Sequence, residues 1–267
     1  KIVAKDAGLS SQDLLAATTS LLSQHKHVRS ACLTGLISAP ALRTRDDVDQ
    51  TVVVRLLCAR SDADEQNRDQ AEQAWGIYGC EVAAESCERL VQMLGASGVP
   101  FVRDTAARAI ALAVAELPEC AELTFENLRN LYNANPSEAF DEPMPSSFVL
   151  ENEETELYAW QIRDGVGLAF GEVSAVLHAD DVGPLFDFLA PRPLGDPVDS
   201  VKETMVKTAL KVMDDLGPDC ADTIFPIFED YLAFPDAKGE AEVCIQDRAR
   251  QSAVICLGGL AKYLPPD

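Results

Sequence analysis

Histidine is nearly absent from this 267-residue chain, with three copies (His25, His27, His178) and no His-Glu pair or histidines one turn apart. Metal-dependent and general-base chemistry both need such groupings, so neither is expected here. Aromatic residues are few, at 6% of the chain, and Cys-x-x-Cys is missing. No apolar run approaches the roughly 18 residues that cross a bilayer, and the first residues, Lys-Ile-Val, lack the basic start and short apolar stretch of a signal peptide. The chain therefore reads as an internal piece of a longer soluble protein with no membrane partner. Basic residues are also scarce: 22 Lys and Arg stand against 44 Asp and Glu, for a net charge of −22. Phosphate backbones are bound by clustered cations that release counterions, so no direct nucleic-acid contact is expected, and a basic protein surface fits the charge better.

What is abundant is aliphatic: 47% of the residues are hydrophobic, enough for one large domain or a long repeat array. The eight cysteines (32, 58, 80, 87, 120, 220, 244 and 256) are scattered singly, mostly within apolar helical stretches. They read as reduced thiols of a cytosolic or nuclear protein, since a helical core of this size needs no disulfide staples.

Internal periodicity sets the fold. Basic residues near the start of successive second helices fall at Arg29, Arg68, Arg103, Arg163, Lys202 and Arg250, in steps of 39, 35, 60, 39 and 48. Four of these lie near the period of HEAT or armadillo helix pairs, and the fifth contains an insertion. Three residues after each anchor stand Cys32, Ala71, Ala106, Val166, Met205 and Ala253, and seven after stand Leu36, Trp75, Ile110, Phe170, Ala209 and Leu257. All twelve are apolar, and spacings of three and seven share one helix face. First helices read similarly at Leu14 to Leu22, Leu90 to Leu94, Leu123 to Leu131, Val182 to Leu189 and Ile224 to Tyr231. Glycines and prolines at 95–100, 191–197 and 217–218 punctuate them, and Pro100 suits a first helical turn. The expected fold is an all-α HEAT-repeat α-solenoid of about six helix pairs, one array over residues 1–267, whose immediate partners are the neighbouring repeats of the same chain.

Two loops interrupt the array. Residues 133–158 carry three prolines and the acids Glu138, Asp141, Glu142, Glu151, Glu153, Glu154 and Glu156 without any Lys or Arg. This acidic insertion is a candidate partner-contact loop, too poor in apolar residues to fold alone. A lesser loop is expected at 235–246. The basic anchors themselves are expected to pair with acids of neighbouring repeats as a ladder that fixes register.

Other patterns have structural readings. Gly165, Gly167 and Gly171 lack the strand of a dinucleotide fingerprint, and read as small residues that let helices pack closely. Asp62-Ala63-Asp64-Glu65-Gln66-Asn67 begins like a calcium loop, but Asn67 stands where that loop needs glycine. Its acids read as helix caps. Trp75 and Trp160 read as packing. No catalytic residue, cofactor or metal ligand is identified.

Some stretches go beyond a generic repeat. Arg55-Leu56-Leu57-Cys58-Ala59-Arg60-Ser61-Asp62 running on to Trp75, Phe101-Val102-Arg103-Asp104-Thr105-Ala106, Pro184-Leu185-Phe186-Asp187-Phe188-Leu189, Phe228-Glu229-Asp230-Tyr231-Leu232 and Gln246-Asp247-Arg248-Ala249-Arg250 together resemble, in order, the giant HEAT-repeat activators of the initiation-factor-2-alpha kinase in general amino-acid control. The resemblance lies just before that family's elongation-factor-three-like region. It implies a non-catalytic, cytoplasmic translation-control scaffold that associates with stalled or collided ribosomes or their proteins and, with an ABC-type partner, promotes kinase activation in the stress response. The family's best-defined kinase-binding segment lies further towards the C-terminus, so no kinase-contacting residue is carried over. The alternative is an acidic HEAT-repeat nuclear transport receptor or other protein-binding adaptor. A HEAT-repeat hydroxylase would need repeated His-Glu pairs, which the chain lacks.

Overall fold

The computed structural model describes residues 11–39, 48–136 and 156–263. Among them are twelve α-helices and short 3₁₀ turns, with no β-strand. The helices are α1 (Ser11–Thr19), α2 (Lys26–Ser38), α3 (Gln50–Arg60), α4 (Glu65–Tyr78), α5 (Ala84–Ala96), α6 (Pro100–Glu116), α7 (Ala121–Asn133), α8 (Ala159–Val173), α9 (Ala179–Leu189), α10 (Asp199–Leu216), α11 (Ala221–Ala233) and α12 (Glu240–Leu260). Consecutive helices pack as pairs at α1–α2, α3–α4, α5–α6, α9–α10 and α11–α12, so the fold class is all-α and of the HEAT type. The periodic residues behave as the spacing requires. Ten of the twelve are buried, while Cys32 and Leu257 are half-buried.

The described residues divide into two compact units, one of residues 11–39, 48–127 and 156–157 and one of residues 128–136 and 158–263. In the first, α1 packs on α3 and α3 on α5, while α2 packs on α4. In the second, α9 packs on α11, and α8 packs on α10, which packs on α12. First helices thus stack on first, and second on second at α2–α4, α8–α10 and α10–α12, while α6 also packs on α3; stacking of this kind hides an apolar stripe no single pair could cover. The core of the first unit is aliphatic, with Leu56, Leu57, Leu90, Leu94 and Ile110 fully buried. That of the second is built around phenylalanines: Phe186 and Phe228 meet edge to face with centroids 5.7 Å apart, and Phe170 lies 5.7 Å from Phe188.

Local chemistry sets the ends. Asp49 caps α3 by accepting from Thr51 N, and Asp64 caps α4 by accepting from Asn67 N, which satisfies donors that have no helical acceptor. Pro100 occupies the first turn of α6. Gly79 closes α4 in the left-handed region at φ 60°, where a side chain would be strained.

The structure shifts three expectations. The lesser loop is shorter than residues 235–246, because α12 already begins at Glu240: Gly239 takes φ +122°, and Glu240 and Glu242 stand in the first turn, where the helix dipole favours acids. Arg250 consequently sits at the middle of its helix and not near the start. Leu123, placed in the apolar stripe of α7 by its spacing, is 44% exposed. Of the acidic insertion, residues 137–155 lie outside the described residues, and with them Glu138, Asp141, Glu142, Glu151, Glu153 and Glu154.

Candidate functional site

The polar residues that organise the repeats lie where each second helix begins. Before α2, α4, α6 and α10 the residue two positions ahead of the N-cap is Ser23, Asp62, Ser97 or Asp196. Each side chain accepts the N-cap backbone N–H: His25 N to Ser23 Oγ at 3.2 Å, Asp64 N to Asp62 Oδ1 at 2.9 Å, Val99 N to Ser97 Oγ at 3.2 Å and Val198 N to Asp196 Oδ1 at 3.0 Å. Such local bonds are what Ser and Asp offer a tight turn. Six residues after each comes a basic anchor: Arg29, Arg68, Arg103 and Lys202.

The arginines close these turns. Arg29 Nη1 donates to the carbonyls of Ser23 at 2.8 Å and Gln24 at 3.1 Å. Arg68 Nη1 donates to those of Asp62 at 2.8 Å and Ala63 at 3.1 Å, and Arg103 Nη1 donates to Ser97 O at 3.0 Å. Carbonyls left without a helical donor are thereby satisfied. Arg250, although further along α12, reaches back to its own turn through Phe234 O at 2.7 Å and Asp236 at 2.8 Å. Lys202 makes a wider ion pair with Asp199 at 3.9 Å.

Two anchors also span successive repeats. Arg29 grips Asp62 in two-pronged fashion, Nε to Oδ2 at 2.5 Å and Nη2 to Oδ1 at 2.9 Å, while Asn67 Nδ2 adds a bond of 3.0 Å. Its guanidinium carbon also lies 4.4 Å from the centroid of the Phe101 ring. Arg163 grips Asp196 likewise at 2.7 and 3.0 Å, and Tyr132 Oη donates to the same carboxylate at 2.8 Å. Both arginines stand 33 residues before their aspartates. Exposure of the four charged side chains is at most 6%.

Arg29 and Arg163 thus pair with acids of the next repeat, as a ladder requires, and Arg68 donates to the backbone carbonyls of its own turn. Burial also changes the weight of such a ladder. Exposed pairs contribute about 0–1 kcal/mol, but removing one partner of a buried pair leaves an uncompensated charge and costs about 3–5 kcal/mol. Burial alone would raise the pKa of Asp62, but hydrogen bonds from Arg29, Asp64 N and Asn67 outweigh it and hold the carboxyl below the usual range.

Ser97 and Asp196 escaped notice in the sequence, and Asp62 was read only as one of a run of helix-capping acids, although the signal is there: each lies six residues before a basic anchor. Asp64 is the cap that the acidic run suggested, and Trp75 is buried while Trp160 is half-buried. The glycines of α8 are contact points: a side chain on Gly167 would come within 2.9 Å of Thr204 Cγ2, and Thr208 Oγ1 donates to Gly167 O at 2.7 Å. His25 and His27 are exposed on the turn into α2, and His178 precedes α9, its backbone N–H donating to Asp181 at 2.8 Å. Among the described residues no three His, Cys, Asp or Glu side chains are grouped to hold a metal.

A family model described as "Stalled ribosome sensor GCN1, HEAT repeats" matches residues 43–262. The chain is 28% identical over 251 residues to the human stalled ribosome sensor GCN1 and 29% identical over 262 residues to protein ILITYHIA of Arabidopsis thaliana. It is 26% identical over 267 residues to the eIF-2-alpha kinase activator GCN1 of Dictyostelium discoideum. These alignments cover 92%, 97% and 96% of the chain, which spans only 9% of the length of each relative. Among solved structures it is similar to a computationally designed armadillo repeat protein for modular peptide recognition, at 15% identity and a TM-score of 0.31, covering 91% of this chain and 99% of that one. It is also similar to a chain of the complex of CpcE and CpcF of phycocyanin lyase from Nostoc, at 16% identity, a TM-score of 0.30 and coverage of 99% and 98%.

Proposed function

The chain belongs to the HEAT-repeat family of the stalled ribosome sensor GCN1, and from that premise we propose that it is a non-catalytic segment of a large translation-control scaffold. In this reading the full-length cytoplasmic protein associates with stalled or collided ribosomes and, with an ABC-type partner, promotes activation of the initiation-factor-2-alpha kinase. The segment contributes a length of stacked repeats whose task is to hold its neighbours in register.

The match of the family model over residues 43–262 carries the proposal. The chemistry of the buried charges supports it: Arg29, Asp62, Arg103, Arg163 and Asp196 are bonded to helix-starting turns or to one another. Arg29 with Asp62 and Arg163 with Asp196 join successive repeats, and Arg103 closes its own turn, which suits a structural segment. The net charge of −22 favours contact with basic ribosomal proteins over ribosomal RNA, since RNA binding rests on clustered cations.

The test uses the tagged full-length protein. Cell extracts are resolved on density gradients before and after a light nuclease treatment that leaves collided ribosomes intact, and crosslinks to residues of this segment are mapped by mass spectrometry. The expected result is co-sedimentation with collided ribosomes, with crosslinks from this segment to adjacent repeats or to basic ribosomal proteins. A full-length protein that stays at the top of the gradient in both conditions would overturn the reading.

A further inference from the structure

Cys87 in α5 and Cys120, in the 3₁₀ turn ahead of α7, bring their sulfur atoms within 2.8 Å across 33 residues of sequence. Both are buried in the first unit, at 3% and 4% exposure. Other cysteines have different neighbours: Cys58 Sγ lies 3.8 Å from Met93 Sδ, Cys32 Sγ donates to Ala17 O, Cys220 Sγ donates to Gly217 O, and Cys244 is exposed. The turn is held in place, because Thr124 Oγ1 donates to Cys120 O at 2.7 Å. A disulfide bond is about 2.05 Å long, so joining the two sulfurs needs an approach of only about 0.8 Å.

We propose that Cys87 and Cys120 are a reversible redox pair, which a small disulfide oxidant such as oxidised glutathione converts to a disulfide tying α5 to the turn that leads into α7. One sulfur, as its thiolate, attacks a glutathione sulfur, forms a mixed disulfide and expels one glutathione. The second protein sulfur then displaces the other. Two protein thiols and one oxidised glutathione give one protein disulfide and two reduced glutathiones, the two thiol protons ending on the leaving thiols.

Packing governs the rate. Burial pushes the Cys87 thiol up to about 12, and the thiolate is the reactive form. Exchange therefore runs through moments when α5 parts from the turn. The pair is slow to oxidise in the packed chain and fast when the repeat stack is loosened, and the disulfide then restricts further separation.

The folded chain is incubated with oxidised glutathione, quenched with acid, alkylated with N-ethylmaleimide and digested for mass spectrometry. The expected product is a Cys87–Cys120 peptide pair, removed by dithiothreitol and formed several-fold faster in urea below the unfolding transition. In the Cys120→Ser variant the expected product at Cys87 is a mixed disulfide with glutathione. Recovery of Cys87 and Cys120 fully alkylated from the wild-type chain, in samples where the exposed Cys244 already carries glutathione, overturns the proposal. So does an equal yield of any other intrachain pairing. The wild-type measurement decides even if the variant fails to fold.

Discussion

Replacing Asp62 with alanine is the sharpest test of the buried rungs. Asp62 takes two hydrogen bonds from Arg29, one from Asn67 and one from the N-cap amide of Asp64, and Arg29 is only 5% exposed. The variant leaves a guanidinium in the interior with half its partners, and breaking a buried pair in this way costs about 3–5 kcal/mol. Arg29 keeps the carbonyls of Ser23 and Gln24, which places the expected loss at the lower end, about 3 kcal/mol. At roughly 2–4 °C per kcal/mol for a chain of this size, the midpoint should fall by about 6–12 °C. Urea denaturation followed by circular dichroism would measure the free-energy loss and a thermal melt the midpoint shift, with Arg29→Met/Asp62→Leu as the control. Swapping a buried pair for apolar side chains is often neutral, so the double variant should recover most of the loss. The same site fixes an acid dependence. The Asp62 carboxyl titrates below its ordinary value, so its contribution is complete above about pH 4, where the unfolded carboxyl ionises, and is lost as pH falls through the depressed value. Asp62→Asn should flatten that limb of the stability curve. A single variant that loses less than about 1 kcal/mol, or a double variant that loses more than Asp62→Ala alone, refutes the reasoning.

Further perturbations separate packing from charge. Arg163→Met, which removes the charge partner of the buried Asp196 and leaves it the bonds from Tyr132 and Val198 N, should cost about 3 kcal/mol in urea, while Lys202→Met, which removes an ion pair to a 77% exposed carboxylate, should stay within about 0.5 kcal/mol. Gly195→Ala should destabilise by about 3 kcal/mol, because its Cβ would lie 2.2 Å from the backbone oxygen of Ile245 and overpacking is not relieved by backbone; a melting curve indistinguishable from wild type would contradict this. Thr208→Val deletes the bond to the Gly167 carbonyl and should cost about 1 kcal/mol, read from the same denaturation curves.

The sequence disclosed the second helices better than the first. Basic anchors and their apolar offsets recur at fixed spacing, and ten of the twelve offsets are buried. Helix α3 left no such trace, since Val52 to Cys58 is a nearly continuous apolar run broken by Arg55, and seven of its eleven residues are buried. A helix buried on most sides loses the periodicity by which helices are recognised. The anchors were visible but their partners were not. Pairing over 33 residues depends on how one repeat stacks on the next, whereas the Ser and Asp six residues upstream of an anchor are a local signal that needs only the turn. The start of α12 was read late because Gly239 and two glutamates resemble a loop until the first helical turn is seen to favour acids.

The reach of Arg29 bears on how the first unit comes apart. Repeat proteins are commonly treated as chains of units, each feeling only the next. Arg29 belongs to the first pair, its carboxylate partner to the second, and the Phe101 ring under its guanidinium to the third. A next-nearest-neighbour term is thus built into the stack, and fraying of the first pair alone would uncover a charge and a ring at once. Under load along the axis, these three pairs should yield as one block, so a pulling trace would show a single long step where independent repeats give a staircase.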